Sequence, residues 1–254
     1  MAPRQAPADA VGLSYLPLVP SFFYAVLAAA GNIVGAAAIT ARSRWSPRTL
    51  ELLLAFSAGF LVVVSIAGLL PEALSHGGPG AAVVILAGFL LVHLTQHALV
   101  GHFHFGEETH HVSKAVSASA LVGLLLHTFV DGVAIASAFT VSDELGVLVF
   151  GAVFLHKVPE GLAIASLWIA SGRSRAAALG AASALGVATL LGVVLTDLFD
   201  PLARWGLALS AGVTLYVGAS NLIPEFQGKP GWGHNIAFFA GCGIALALRS
   251  LLGH

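Results

Sequence analysis

The sequence predicts an all-α integral membrane protein with eight transmembrane helices, and its composition, length and apolar runs are the observations that predict this fold class. Of its 254 residues, 57% are hydrophobic and only 9% are charged, whereas about 25% of residues in a soluble domain are charged. A helix needs roughly 20 residues to cross a hydrocarbon layer of about 30 Å. The chain is therefore long enough for eight crossings joined by short loops, with no room for a separate soluble domain.

Eight apolar runs, separated by charged residues or by Gly and Pro clusters, are the candidate membrane spans. They cover residues 16–40, 50–72, 80–101, 115–139, 146–171, 176–198, 203–224 and 235–252. Each run is close to the length of a spanning helix. The first 14 residues contain no apolar run, so the first span is expected to remain as an anchor. We expect an extracytoplasmic tail over residues 1–15 and a single transmembrane domain over residues 16–254.

The distribution of basic residues predicts the orientation, because cytoplasmic loops retain an excess of Lys and Arg. An outside N-terminus places seven basic residues in inside loops, namely Arg42, Arg44, Arg48, Lys114, Arg173, Arg175 and Lys229. It leaves three at the outer side, namely Arg4, Arg204 and Arg249. Both termini are therefore predicted to lie outside, and the loop 101–114 is predicted to be cytoplasmic. The short loops favour a multi-pass protein of a prokaryotic inner membrane.

Charge and cysteine content exclude two classes of function. The formal net charge is −1 and the basic residues are scattered, so there is no basic face to hold nucleic acid. The single cysteine, Cys242, cannot form an intramolecular disulfide or a CxxC metal site. Nitrogen and oxygen side chains remain as candidate ligands.

Two neighbouring spans carry the same short motif. The fourth span reads His-Thr-Phe-Val-Asp-Gly from His127, and the fifth reads His-Lys-Val-Pro-Glu-Gly from His156. In each motif an acid follows the histidine by four residues, which places both side chains on one face of a helix. Adjacent antiparallel helices can bring the two pairs to one ion. The predicted metal ligands are His127, Asp131, His156 and Glu160, a set that suits zinc.

The recurrence of this motif on spans of opposite direction is typical of an inverted-topology transporter repeat. A fainter recurrence closes the second and seventh spans, which end in Pro-Glu72 and Pro-Glu225. These two acids are expected to place one carboxylate near each mouth of a pathway. In the fifth span, Pro159 removes the helical partner of the Leu155 carbonyl and is expected to bend the helix beside the site.

Charge inside the membrane requires compensation. Asp131, Lys157 and Glu160 lie well inside their spans, where a central charge costs at least about 2.5 kcal/mol. One interpretation is a structural salt-bridge cluster of these three residues with the histidines as hydrogen-bonding neighbours. It explains neither the matched spacing of the histidines nor the repeat, which favour a metal site. Two carboxylates and one ammonium give the cluster a net charge of −1, and a bound divalent ion changes this net charge to +1.

Further histidines lie outside the paired motif. The loop after the third span holds His102, His104, His110 and His111. This loop is either a metal-binding segment or a solvated polar loop, because clustered histidine is compositional information alone. His93 and His97, one turn apart in the third span, either line the inner exit of the pathway or are buried with partners.

At these residues the sequence resembles the ZIP (Zrt/Irt-like protein) family of divalent metal transporters. The resemblance rests on the eight spans, the histidine-bearing loop, the two paired motifs and the Pro-Glu endings of the second and seventh spans. It implies a 3+2+3 helix arrangement, a two-metal centre between the fourth and fifth helices, alternating access and, as a further expectation, a homodimer. It assigns the first metal position to His127, Asp131, His156 and Glu160.

Departures from the family pattern all affect the second metal position. Thr128 stands where the family usually has Asn, and Lys157 stands where it usually has an acid. In the sixth span, the stretch 181–192 also lacks the acid that often helps there. We therefore predict a single metal, with the Lys157 ammonium in place of the second cation.

The sequence thus predicts a transporter of a divalent transition metal ion, above all Zn²⁺. Imidazole and carboxylate also fit Fe²⁺, Mn²⁺, Cd²⁺ or Co²⁺. The alternatives are an intramembrane metalloenzyme and a metal sensor without flux. The protease motif His-Glu-x-x-His and the phosphate-binding motif of ATPases are both absent from the sequence.

Overall fold

The computed structural model describes residues 18–41, 47–98, 114–224 and 226–252, and within these ranges the secondary structure is helical without a strand. Its nine α-helices are α1 (Leu18–Thr40), α2 (Pro47–Val63), α3 (Leu70–Gly77), α4 (Ala81–Ala98), α5 (Lys114–Val141), α6 (Asp143–Ala170), α7 (Arg175–Leu198), α8 (Asp200–Tyr216) and α9 (Gly233–Leu252). Two π-helical segments accompany them. One, Val64–Leu69, joins α2 to α3, and the other, Val217–Leu222, extends α8.

The helices have the length and composition of membrane spans. Within the described ranges, six stretches qualify: Pro20–Thr40, Glu51–Thr95, Ser117–Val141, Asp143–Ala170, Arg175–Leu198 and Gly233–Leu252. The stretch Glu51–Thr95 has 45 residues, about twice what one crossing needs, and a 3₁₀ turn at Gly78–Gly80 divides it. The prediction of an all-α integral membrane protein is confirmed.

A one-residue connection sets α5 and α6 side by side. Ser142 is the only residue between them, and its side chain accepts a hydrogen bond of 3.1 Å from the Leu145 amide. This is an N-cap, which satisfies one of the unpaired amides at the start of a helix. Because the connection is so short, α6 must run back along α5. The two His and acid motifs are therefore brought to the same level.

Glycine permits an unusually close approach of α1 to α6. A methyl group on Gly161 would collide with the carbonyl of Asn32, and one on Gly35 would collide with the carbonyl of Val158. Each helix therefore offers a glycine to the backbone of the other. Such small-residue contacts let membrane helices pack tightly where hydrophobic association is weak.

The same contact occurs a second time between α5 and α7. A methyl group on Gly132 would collide with the carbonyl of Thr189, and one on Gly192 would collide with the carbonyl of Phe129. The spacing of three residues between glycine and carbonyl is the same in both contacts. Gly132 and Gly161 each directly follow the acid of the paired motif, so both acid-bearing helices are fixed at the candidate site.

A second set of reciprocal glycine contacts holds the remaining long helices in pairs. Gly59 of α2 lies against the carbonyl of Phe238 in α9, and Gly241 lies against the carbonyl of Phe56. Between α4 and α8, Gly88 and Gly212 make the equivalent contacts with the carbonyls of Leu209 and Ile85. Both α2 and α8 continue into a π-helical segment, so the repetition extends beyond the glycines.

The helices form two bundles. The most extensive helix contacts lie within the group α1, α5, α6 and α7, or within the group α2, α3, α4, α8 and α9. Two serine hydroxyls link the groups: Ser57 donates to the Leu155 carbonyl (3.1 Å) and Ser210 to the Val130 carbonyl (3.5 Å). The paired motif belongs entirely to the first group, which we name the site bundle; the second is the flanking bundle.

The glycine contacts predict that two glycine-to-alanine substitutions change the free energy of unfolding very differently. Gly161→Ala should lower the free energy of unfolding by about 1–3 kcal/mol, because the new methyl group meets backbone that cannot move aside. Gly180→Ala, where an added Cβ meets nothing within 4 Å, should be neutral or stabilise by up to about 1 kcal/mol. Thermal unfolding of both variants in detergent measures the difference, and equal stability would contradict the contact.

Candidate metal centre

Four side chains from α5 and α6 converge on one point. One ligand atom each from His127, Asp131, His156 and Glu160 lies within 4.8 Å of all the others. The imidazole rings of His127 and His156 have centroids 5.5 Å apart. Within the described part of the chain, no other group of three or more His, Cys, Asp or Glu side chains has this geometry.

The cluster is shielded from solvent. Asp131 is 3% exposed, His156 5% and Glu160 6%, and the His127 side chain is 12% exposed. Charged groups are rarely buried so deeply unless they are paired or bind a metal. The surrounding helices therefore enclose most of the cluster.

The hydrogen bond of His156 prepares its outer nitrogen to bind a cation. Its Nδ1 lies 2.9 Å from the Ala152 carbonyl oxygen, which can only accept, so Nδ1 carries the proton and donates. In the neutral ring, Nε2 then has a free lone pair, and it faces Asp131 Oδ2 at 3.3 Å. Two acceptors facing each other favour a cation between them. This backbone anchor is typical of metal-binding histidines.

Lys157 joins the two acids. Its Nζ lies 2.6 Å from Asp131 Oδ2 and 2.9 Å from Glu160 Oε2, and its side chain is 0% exposed. The ion pairs of the salt-bridge interpretation are thus present. They do not satisfy the cluster, because Glu160 Oε1 and His127 Nδ1 are buried without a hydrogen-bond partner. Unpaired polar atoms in a buried site are costly, so the ion pairs alone do not account for the cluster.

Pro159 lies inside α6, which runs as one helix from Asp143 to Ala170. The Leu155 carbonyl, which loses its helical partner, accepts a hydrogen bond from Ser57 of the flanking bundle at 3.1 Å. Sequence reasoning identified the free carbonyl and missed the serine. Nothing in the local sequence around Ser57 indicates which distant carbonyl it meets.

Thr128 lies beside the cluster with its hydroxyl turned away. It is fully buried, and its Oγ1 donates to the Leu125 carbonyl at 3.1 Å. This bond is internal to α5. Thr128 and Lys157 occupy corresponding positions of the two motifs but behave differently. The Thr128 hydroxyl is hydrogen-bonded within its own helix, whereas the Lys157 ammonium reaches across to Asp131 of α5.

The predicted pathway residues lie outside the four-residue group. Glu72 lies in the first turn of α3, where its carboxylate is 3.4 Å from His76 Nδ1. His93 is exposed on α4 and contacts the Tyr216 hydroxyl through Nδ1 at 3.2 Å. His97 belongs to α4, but its side chain lies outside the described residues, as do Glu225 and the loop histidines His102, His104, His110 and His111. Their roles stay predictions.

A separate polar cluster, which sequence reasoning missed, lies where α2 and α9 begin. Glu51 pairs with Lys229 and lies 3.0 Å from His234 Nε2. With Arg48 and Trp232 these residues line a cavity of about 470 Å³. The cluster ties the segment before α9 to the start of α2. It could not be found from sequence because its members are nearly 180 residues apart.

The burial of Lys157 predicts a large stability effect. Lys157→Met should lower the free energy of unfolding of the metal-free protein by about 3–5 kcal/mol, since it leaves two carboxylates without their buried partner. Lys229→Met is the matched control, because this lysine also pairs with an acid but its side chain is 33% exposed; it should cost no more than about 1 kcal/mol. Chemical denaturation in detergent compares them, and equal losses would contradict the assigned burial.

Comparisons with known proteins show which family the chain resembles. The family model described as ZIP zinc transporter matches residues 93–249. The zinc transporter ZIP9 of Micropogonias undulatus is 28% identical over 183 residues, which are 66% of this chain and 57% of the relative. The zinc transporter ZIP5 of Mus musculus is 33% identical over 138 residues, 50% of this chain and 24% of the relative.

Human zinc transporter ZIP6 is 29% identical over 143 residues, 50% of this chain and 19% of the relative. The chain thus spans about a fifth of ZIP6 and little more than half of ZIP9. The family model nevertheless covers more than half of the chain, including all of α5, α6, α7 and α8. On this match, the chain belongs to the ZIP zinc transporter family.

Proposed function

We propose that this protein carries a divalent transition metal ion, above all Zn²⁺, across a membrane by alternating access to one buried site. The observation that carries the proposal is the convergence of four ligand atoms within 4.8 Å inside apolar spanning helices. Relatives that are named zinc transporters support the choice of ion.

The chemistry of the four residues suits a transported ion. Two imidazoles and two carboxylates are a common zinc set, and the same ligands also accept Fe²⁺, Mn²⁺, Cd²⁺ and Co²⁺. Lys157 reduces the negative charge of the site from −2 to −1. An ion held by this smaller charge is released more readily, which a carrier requires.

A single ion is favoured by the residues at the second position of the family's two-metal centre. Lys157 supplies a fixed ammonium there, at hydrogen-bonding distance from Asp131 and Glu160. Thr128 uses its hydroxyl within its own helix. A second divalent ion would therefore meet a cation and no added carboxylate.

The proposed topology is eight crossings with both termini outside, in a 3+2+3 arrangement with an inverted repeat. Division of Glu51–Thr95 at the 3₁₀ turn gives two crossings, and α8 with its π-helical extension gives another. The matched glycine contacts support the repeat. This topology makes residues 1–15 an extracytoplasmic tail, residues 16–254 one transmembrane domain and the loop 101–114 cytoplasmic. The membrane would be the inner membrane of a prokaryote, with a homodimer expected from the family.

Movement of the site bundle against the flanking bundle is the proposed route to alternating access. Backbone-to-glycine contacts hold the helix pairs α1–α6 and α5–α7 of the site bundle, and α2–α9 and α4–α8 of the flanking bundle. Contacts between the bundles are fewer and include the Ser57 and Ser210 hydroxyl bonds. Such bonds are worth about 1 kcal/mol each, and we take this less extensive interface as the place of movement.

A metalloenzyme and a sensor without flux are the competing functions. The lack of a His-Glu-x-x-His motif argues against a metalloprotease, and the similar proteins are named as transporters. A sensor would bind the same ion at the same residues. Flux is therefore the property that separates it from a carrier.

Reconstituted protein should take up radioactive zinc into liposomes. His127→Ala and Glu160→Ala should each reduce the rate by at least the roughly 10- to 100-fold that loss of an outer metal-site partner costs. Glu144→Ala, an exposed acid in the first turn of the same helix α6, should keep the rate. No uptake by the wild-type protein under several gradients would reject transport, and an equal loss in Glu144→Ala would reject the site.

Metal counting should find one ion in the membrane site. The expected result is a difference of one zinc per chain between the purified wild-type protein and His127→Ala, because the subtraction removes any ion bound by the loop histidines. Anomalous diffraction at the zinc edge locates the ion. Two ions between α5 and α6 would refute the single-metal site.

A further inference from the structure

We propose that Lys157 is an internal counter-cation that lets the empty site return across the membrane, so that the protein delivers net flux and not only exchange of ions. This inference rests on the proposed transport function and concerns the half of the cycle in which no ion is bound.

The ammonium is placed to replace the ion when the site is empty. It lies 2.6 Å from Asp131 and 2.9 Å from Glu160, so it contacts one oxygen of each carboxylate. Glu160 Oε1 remains without a partner, and His127 and His156 both direct Nε2 at Asp131 Oδ2, at 3.4 Å and 3.3 Å. The lysine therefore neutralises part of the charge without occupying every ligand atom, and a metal ion still has groups to bind.

The lysine cannot leave with the ion or escape to water. Its side chain is 0% exposed, and a Cβ added to Gly31 of α1 would lie 3.0 Å from the Lys157 Cβ, so that α1 closes over its stem. The ammonium is covalently held and packed inside the site bundle. It moves with the site in both directions of the cycle.

With Lys157 present, the empty site and the ion-bound site carry net charges of equal magnitude. With Asp131, Glu160 and Lys157 ionised and the histidines neutral, the empty site carries −2 + 1 = −1, and a divalent ion brings it to −1 + 2 = +1. Without the lysine, the two states carry −2 and 0. The cost of holding charge in a medium of low polarity grows with the square of the charge.

Unequal costs would unbalance the cycle. A carrier with charges of −2 and 0 moves its loaded form easily and its empty form with great difficulty. It would exchange zinc for zinc, because both legs of exchange use the loaded form. It would accumulate zinc poorly, because net uptake needs the empty return. Lys157 makes the electrostatic cost of moving the empty site comparable to that of moving the loaded site.

The test compares net uptake with exchange in proteoliposomes that contain wild type or Lys157→Met. Net uptake is radioactive zinc entering zinc-free vesicles, and exchange is radioactive zinc entering vesicles loaded with unlabelled zinc. We expect the ratio of net uptake to exchange to fall at least about tenfold in Lys157→Met, as expected when a buried charge loses its partner. A structural role alone would lower both rates together.

Three further variants control the comparison. Lys114→Met removes the same charge from the exposed start of α5 and should keep the wild-type ratio. Lys157→Arg keeps the charge and should keep most of the ratio. Lys157→Met combined with Asp131→Asn restores charges of −1 and +1, so its ratio should return towards wild type even if its zinc affinity is weaker. This double variant also serves if Lys157→Met fails to fold, since it leaves no second unpaired carboxylate.

The outcomes separate the inference from the function on which it rests. Absence of both net uptake and exchange in the wild type would overturn transport itself, and the inference with it. Wild-type flux with an unchanged ratio in folded Lys157→Met would overturn the inference alone. A double variant with a ratio at least tenfold below wild type would also overturn it, because charge balance would then not decide the return.

Discussion

The rest of the structure depends on the burial of two carboxylates between α5 and α6. Asp131 and Glu160 are almost fully enclosed, in a chain whose helices have the composition of membrane spans. Two negative charges cannot be held there without compensation. Lys157 provides one positive charge, and an ion with two is needed to reverse the sign. The site is thus organised around a charge that is never fully neutralised, which suits binding that must be reversible.

Close helix packing is the means by which this charge is held. The two acids directly precede Gly132 and Gly161, and both glycines lie against backbone carbonyls of α7 and α1. The acids are consequently fixed by main chain, which cannot rotate as a side chain does. The flanking bundle repeats the same contact in two further helix pairs. In the described residues, the same glycine-to-carbonyl contact thus joins four helix pairs.

The interface between the bundles has a different character. Serine hydroxyls reach across it to the carbonyls of Leu155 and Val130, and the π-helical segments of the flanking bundle lie in the same part of two repeated helices. Segments of this kind are frequent at functional sites. The molecule therefore combines two groups of packed helices with a less extensive contact between them, in which a shared apolar core accompanies the two serine hydroxyls. That division is what a carrier with a buried site needs.

The sequence by itself determined the membrane class, the two helices that carry the candidate site and the four residues that meet there. Hydrophobic composition and a spacing of four residues are local properties, and a helix converts them directly into burial and a shared face. Only the tertiary structure decided that Lys157 contacts both acids, that Ser57 serves the carbonyl freed by Pro159, and that glycine contacts repeat between helices. Those facts depend on which helices are neighbours and on how closely they approach. Ser57 and Leu155, for example, are 98 positions apart, and nothing local in the sequence indicates that they meet.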